Sequence, residues 1–169
     1  MKPLAPIFTK LRGQILTLTP GHLKLAPTPD LPHVWAAFMD MSVSDSVASL
    51  LASAEGTSSL YFGTGGGIIG AGKHPQVRAA NRRFLVALDA ALDALSPVAE
   101  AALPAAGHVA FAVLTYDGLR GAQVAEDILK AGGHPLSKSF MAGHELIAYL
   151  RAASEAAANA KRQPTDPRH

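Results

Sequence analysis

The stretch from Pro75 to Leu95 constrains the fold of this chain more than any other. Its large apolar residues recur at steps of three, four and seven, which places them along one side of an α-helix. They are Val77, Phe84, Leu85, Leu88, Leu92 and Leu95. Pro75 suits the first helical turn, where its missing N–H costs nothing, and Ser96-Pro97 ends the helix. We expect Phe84 and Leu88 to be buried against a sheet.

Segments on both sides of this helix have the character of strands. His33 to Val43 is rich in aromatic and β-branched residues, as strands are. Val109 to Leu114 is short and almost wholly apolar, which is typical of a buried strand. Asp117-Gly118 is a strong turn signal, and Gln123 to Leu129 can return as the partner strand. A second hairpin is therefore expected after the helix.

Two structures compete for Ser46 to Phe62. Val47, Leu50, Leu51 and Ala54 have helical spacing, whereas Glu55-Gly56 indicates the turn of a hairpin. The hairpin is favoured because Thr57 to Phe62 is a strand on either interpretation. The competing helix would be only about ten residues long, which is marginal for an isolated helix.

The N-terminal part carries alternating leucines. Leu16, Leu18, Leu23 and Leu25 share one face if Pro20-Gly21 forms the centre of a turn. We therefore expect a short hairpin over Ile15 to Leu25. Ala26 to Pro32 follows as a proline-rich connector, a composition typical of loops.

A last helix is expected near the C-terminus. Ser137 or Ser139 can cap it, and it ends near Ala153 or somewhat later. Its apolar face carries Phe140, Ile147 and Leu150. Residues 1–155 then form a single domain. Residues 156–169 are expected to be a frayed or disordered tail, because the C-terminal stretch AKRQPTDPRH is polar and carries two prolines.

From Val47 the predicted order is hairpin, helix, hairpin, helix. Such an order predicts an α+β fold with two layers, in which two principal helices pack on a mainly antiparallel sheet built from hairpins. Between Val47 and Ala153 this order resembles that of the roadblock/longin group of profilin-like modules, by architecture and without any shared motif. The resemblance implies a non-catalytic scaffold that dimerises through sheet edges or helices. The chain departs from that group at its start, where a roadblock domain has a helix and this chain has the predicted hairpin.

Composition excludes several classes of site. Hydrophobic residues make up 49% of the chain and charged residues 17%, proportions typical of globular proteins. The sequence has no cysteine, which rules out disulfides and thiolate zinc sites. A net charge of +2 is too small to indicate nucleic acid. The least charged stretch, Ala94 to Thr115, is interrupted by prolines, Glu100 and a glycine, so no membrane span is expected. We expect a cytoplasmic protein.

The sharpest local feature is the glycine-rich segment 63–74, GTGGGIIGAGKH. From Gly67 it has the spacing of a phosphate-binding loop as far as its lysine. His74 stands where that loop needs a Ser or Thr for Mg²⁺, and Pro75 removes a backbone donor, so nucleotide hydrolysis is disfavoured. The segment can still form an anion site, built from Gly70, Gly72, Lys73, Arg78 and Arg82. The alternative is a purely structural loop.

The charges of the long helix oppose its dipole. Arg78, Arg82 and Arg83 lie in its N-terminal half, and Asp89 and Asp93 lie in its C-terminal half. A helix dipole favours the reverse by about 0.3–1 kcal/mol per charge. Two explanations are open: a partner or an anion selects this arrangement, or it is an ordinary solvated face.

No residues fit a catalytic or metal-binding pattern. The seven histidines lack the spacing of metal ligands, and no cofactor is indicated. The favoured hypothesis is a small non-enzymatic binding or scaffold module that forms a homodimer and can take a protein partner. The alternative is an anion- or phosphate-binding protein or enzyme that uses the segment 63–74.

Overall fold

The computed structural model describes residues 2–69 and 73–162 of the 169-residue chain. In these residues seven strands form one antiparallel sheet, in the order β4-β3-β2-β1-β6-β7-β5. The strands are β1 (Val34–Val43), β2 (Ser46–Ser53), β3 (Ser58–Phe62), β4 (Gly67–Ile68), β5 (Ser96–Pro97), β6 (His108–Thr115) and β7 (Gly118–Ala125). The helices are α1 (Pro6–Leu16), α2 (Pro75–Ala90), α3 (Glu126–Lys130) and α4 (Ser137–Arg162).

Both predicted hairpins are present, and the strand alternative for residues 46–54 is confirmed. β2 and β3 are joined by a loop that contains Glu55-Gly56. β6 and β7 are joined by Tyr116 and Asp117, and Gly118, which pairs with Thr115, is the first residue of β7. Gly56 and Gly118 both have a positive φ, a region that glycine enters without the strain that other residues meet there. Both turns therefore occur where the sequence indicated them, with Gly56 inside its loop and Gly118 directly after its turn.

One face of the sheet, the α2–α4 face, is covered by the two long helices. Phe84 and Leu88 of α2 are both fully buried there, as predicted from the apolar stripe. α4 adds Phe140, Ile147 and Leu150 to the same core. The predicted α+β class, with two principal helices packed on an antiparallel sheet, is confirmed.

The opposite face, the α1 face, carries a smaller core. Phe8 of α1 is buried among Trp35, Phe38, Val47, Leu51, Tyr61, Ala112 and Leu114 from the strands. This core includes a helix that the predicted order lacked. α1 adds cover to the face that the two principal helices leave open.

The hairpin predicted over Ile15 to Leu25 is wrong. Ile15 and Leu16 form the last turn of α1, which begins with Pro6 at its first position, where proline suits a helix. A 3₁₀ turn then runs over Pro20–Leu23, where Thr19 and His22 each hydrogen-bond the backbone N–H of the other. Leu16 lies in α1 and Leu23 in the 3₁₀ turn, whereas Leu18 and Leu25 lie in the segments that follow these elements. All four pack on one core, so their period of two does not mark a strand.

Three elements differ in their bounds from the prediction. α2 ends at Ala90 rather than near Leu95, and a 3₁₀ turn over Leu92–Ala94 leads into β5. The return strand runs over Gly118–Ala125 rather than from Gln123 to Leu129. It ends at Ala125 because Glu126 and Asp127 occupy the first turn of α3, where acidic residues favour a helix start. α4 continues to Arg162, and residues 154–162 form an exposed helical extension.

The edges of the sheet are short. β4 and β5 contain two residues each, and each pairs with its neighbouring strand at two positions. Short edge strands offer few unpaired backbone groups to another chain. Within residues 2–69 and 73–162 no helix combines the length and the apolar character needed to cross a membrane.

Candidate functional site

An irregularity at the start of β1 sets the orientation of Trp35. The pairing of β1 with β6 shifts register between Val34 and Ala36, which is a β-bulge. Trp35 and Ala36, although adjacent in sequence, therefore both belong to the core on the α1 face. Regular alternation would have placed one of them on the opposite face.

Trp35 lines a cleft on the α1 face, here called the Trp35 cleft, with a volume of about 610 Å³. Three segments form its walls: the end of α1 with the 3₁₀ turn, the connection after β5, and the β6–β7 hairpin. The lining residues are Leu16, Leu18, Thr19, Pro20, Trp35, Ala99, Glu100, Ala101, Leu114, Thr115, Tyr116, Gly118 and Leu119. Most of this lining is apolar or aromatic, as is usual for sites that bind small molecules.

Backbone and side-chain hydrogen bonds fix two of these walls. The indole Nε1 of Trp35 donates to the carbonyl of Thr115 at 3.2 Å. The backbone N–H of Tyr116 donates to the carbonyl of His33 at 3.0 Å, and that of Val98 donates to the carbonyl of Leu119 at 3.1 Å. The Trp35 ring and the segment after β5 are therefore held before any ligand arrives.

A buried ionic cluster holds the third wall. Arg12 of α1 donates from Nη1 to Asp40 Oδ1 at 2.7 Å, and the Ser49 hydroxyl donates to the same oxygen. Arg12 Nη2 donates to the carbonyl of Ala101 at 3.0 Å, and its guanidinium lies over the Phe38 ring. One side chain thus ties α1, the centre of the sheet and the segment after β5 together.

The Asp40 side chain is fully buried. Burial raises the pKa of the Asp40 carboxyl, and the charge of Arg12 and the hydrogen bonds from Ser49 and Arg12 oppose that rise, as desolvation and hydrogen-bonded charge partners generally do. Asp40 Oδ2 has no hydrogen-bond partner among residues 2–69 and 73–162. The carboxyl therefore depends on Arg12 and Ser49 for its stabilisation.

Two polar side chains that line the Trp35 cleft, those of Glu100 and Tyr116, make no hydrogen bond or ion pair with a described residue. Glu100 is exposed at the rim, and within the described part of the chain its carboxylate has no ion pair or hydrogen bond. The hydroxyl of the half-buried Tyr116 likewise makes no hydrogen bond to a described residue. Burial raises the pKa of Tyr116, so its hydroxyl remains protonated at neutral pH. These groups are available to a ligand.

Of the residues predicted to bind an anion, those that the structure describes do not share one set of contacts. Gly70 and Gly72 lie outside the described residues, and Lys73 is exposed. Arg82 forms a two-point ion pair with Asp30, at 2.8 and 2.7 Å. The Arg78 guanidinium lies against Gly56 in the β2–β3 turn, 3.5 Å from where a Cβ on that glycine would stand. An anion site at this loop stays a prediction.

Contacts with the connector before β1 account for part of the unusual charge order of α2. Asp89 accepts hydrogen bonds from the backbone N–H groups of His33 and Val34, both at 2.9 Å. Together with the Arg82–Asp30 pair, these hydrogen bonds join α2 to the connector before β1 and to the first residue of β1. These two charges are selected by tertiary contacts within the chain, which a sequence pattern along one helix does not display.

A smaller cleft of about 290 Å³ has polar walls, and two of its ionic groups are already engaged. Asp89 binds the start of β1, and Arg120 donates to the carbonyls of Leu92 and Leu95 at 3.2 and 3.0 Å. Within the described residues no group of three or more His, Asp or Glu side chains could hold a metal ion. The Trp35 cleft is therefore the better candidate for a binding site.

No family model, no curated protein and no solved structure matches this chain. Function is therefore inferred from the geometry of the cleft.

Sequence reasoning missed the residues that build this site. Arg12 lies in an N-terminal segment for which the sequence patterns predict no helix, and Asp40 is one polar position in an apolar strand. A single acidic residue inside a strand such as His33 to Val43 is itself a signal, because a buried carboxylate requires a partner. The sequence does not say which of its 15 Lys and Arg residues is that partner.

Proposed function

We propose that this chain is a non-enzymatic binding module that holds a small, largely apolar ligand in the Trp35 cleft. The observation that carries the proposal is the cleft itself, an apolar space of about 610 Å³ on a rigid antiparallel sheet. Ligand sites for small molecules commonly measure roughly 300–1,000 Å³ and are lined mainly by apolar and aromatic side chains.

The polar groups of the cleft favour binding over catalysis. The Thr115 hydroxyl donates to the carbonyl of Gly118 at 2.7 Å and accepts from the N–H of Asp117 at 3.1 Å. The Thr19 hydroxyl accepts from the N–H of His22 at 3.4 Å. Among the described residues neither hydroxyl donates a hydrogen bond to a basic side chain, as an activated nucleophile requires. Glu100 and Tyr116 remain as groups that can orient a ligand.

Octanol is expected to bind saturably and to change the fluorescence of the protein. Trp35 is the single tryptophan of the chain and lines the cleft, so its emission reports occupancy directly. Ala99→Phe places a ring into the cleft from its exposed wall. It is expected to weaken octanol binding by about tenfold or more, which corresponds to ~1.4 kcal/mol.

Ala106→Phe is the matched control, because Ala106 is exposed and does not line the cleft. A fluorescence titration that never saturates, or equal affinities in the two variants, contradicts the proposal.

Self-association forms a second part of the proposal, based on the architectural resemblance to roadblock/longin modules. Since β4 and β5 are only two residues long, helix packing is the better route to a homodimer than edge pairing. Light scattering at tens of micromolar is expected to give twice the mass of one chain. A mass of one chain under those conditions contradicts this part and leaves the ligand site untouched.

A further inference from the structure

The chemistry of the Trp35 cleft indicates which small apolar molecules fit it. We propose that its ligand is a hydrophobic amine, with an apolar body between α1 and the β6–β7 hairpin and a cationic nitrogen at Glu100. This inference rests on the proposed function, since it requires that the cleft bind a ligand.

Charge is the first support. Among the described residues that line the cleft, Glu100 is the only charged one. Its carboxylate has no ionic or hydrogen-bonded partner within residues 2–69 and 73–162. The part of the lining that the structure describes contains no cation that could neutralise an anionic ligand. A ligand that brings its own positive charge is therefore complementary, and one that brings a negative charge is repelled.

The position of Glu100 is the second support. Two residues before it, the N–H of Val98 is hydrogen-bonded to the carbonyl of Leu119. One residue after it, the carbonyl of Ala101 accepts from Arg12. The backbone that carries Glu100 is thus fixed on both sides, to the sheet and to α1. A group held in place before binding loses less entropy when the ligand arrives.

The aromatic lining is the third support. Trp35 and Tyr116 both line the cleft, and the faces of such rings attract cations and not anions. The Tyr116 hydroxyl is neutral at physiological pH and can accept a hydrogen bond from an ammonium group. A carboxylate beside two aromatic rings is a combination of groups that can bind primary and quaternary ammonium ions.

Three ligands with eight carbons and different head groups separate the effect of charge from that of the apolar chain. They are octylamine, octanol and octanoate. Trp35 fluorescence is expected to show the tightest binding for octylamine, weaker binding for octanol and the weakest for octanoate. Glu100→Gln is expected to reduce the affinity for octylamine about fivefold, the order of an exposed charge pair, and to leave octanol unchanged. Rising salt should weaken octylamine binding in the native protein only.

Asp117→Asn is the matched control, because Asp117 is an exposed acid in the adjacent β6–β7 turn that does not line the cleft. It should leave all three affinities unchanged. Equal binding of octylamine and octanol, with no effect of Glu100→Gln, overturns the amine inference and leaves the apolar site standing. Failure of all three ligands to bind overturns the proposed function as well.

Discussion

Replacing Arg12 with alanine is expected to lower the free energy of unfolding by about 3–5 kcal/mol, the usual cost of removing one partner of a buried ion pair. Arg12 is 6% exposed and Asp40 is 0% exposed, so the variant leaves a buried carboxyl group without its charge partner. The variant leaves Asp40 with the Ser49 hydroxyl as its remaining donor. It also removes the hydrogen bond to the carbonyl of Ala101 and the cation–π contact with Phe38.

Urea unfolding measures this loss, with Lys10→Ala as the control on an exposed position of the same helix. The double variant Arg12→Met, Asp40→Leu should recover much of the lost stability, because apolar residues of similar volume often replace a buried ion pair at little cost. The two effects are then strongly non-additive, as expected for residues in contact. If Arg12→Ala loses less than about 1 kcal/mol, the buried pair does not hold α1 to the sheet.

The same variant links stability to the proposed site. Arg12 fixes the carbonyl next to Glu100, and α1 supplies part of the cleft wall. The ionic cluster therefore contacts the cleft wall at Ala101 without itself lining the cleft. Burying the charges of Arg12 and Asp40 costs free energy of desolvation. Apolar residues at the same positions would avoid that cost if stability alone were required.

The helices and hairpins that were predictable from the sequence depend on local rules. The apolar stripe of α2 repeats with the helical period over several turns, and Gly56 and Gly118 follow acidic residues at tight turns. These signals involve residues within a few positions of each other. For that reason the α+β class could be obtained from the sequence.

The remaining features depend on contacts between distant residues. α1 is short, and Pro6 and the leucines after it suit several local structures, so packing on the sheet decides between them. The bulge at Trp35 is a property of the pairing of β1 with β6, two strands that lie far apart in the sequence. Arg12 and Asp40 likewise belong to different elements. No local pattern contains any of these pairings, and they hold the elements that form the cleft in place.

Leu88→Ala is expected to lower the free energy of unfolding by about 2–5 kcal/mol, as truncation of a buried leucine does in well-packed cores. Leu88 is 0% exposed in the core between α2, α4 and the sheet. That core is tightly closed: a Cβ added to Gly143 of α4 would stand 2.5 Å from the Met39 methyl group and 3.2 Å from the Phe84 ring. Surroundings packed so closely cannot collapse far into the space left by the lost side chain, so the cost should lie in the upper part of this range.

The measurement is urea unfolding beside Gln76→Ala, a change at an exposed position in the first turn of the same helix. Gln76→Ala should shift stability by no more than about 0.5 kcal/mol, as surface substitutions usually do. Because Leu88 lies on the α2–α4 face and Trp35 on the α1 face, the variant should still bind octanol under conditions where it remains folded. A loss below about 0.5 kcal/mol would mean that α2 does not pack on the sheet through this stripe. Loss of octanol binding by the folded variant would mean that the two cores are coupled through the sheet.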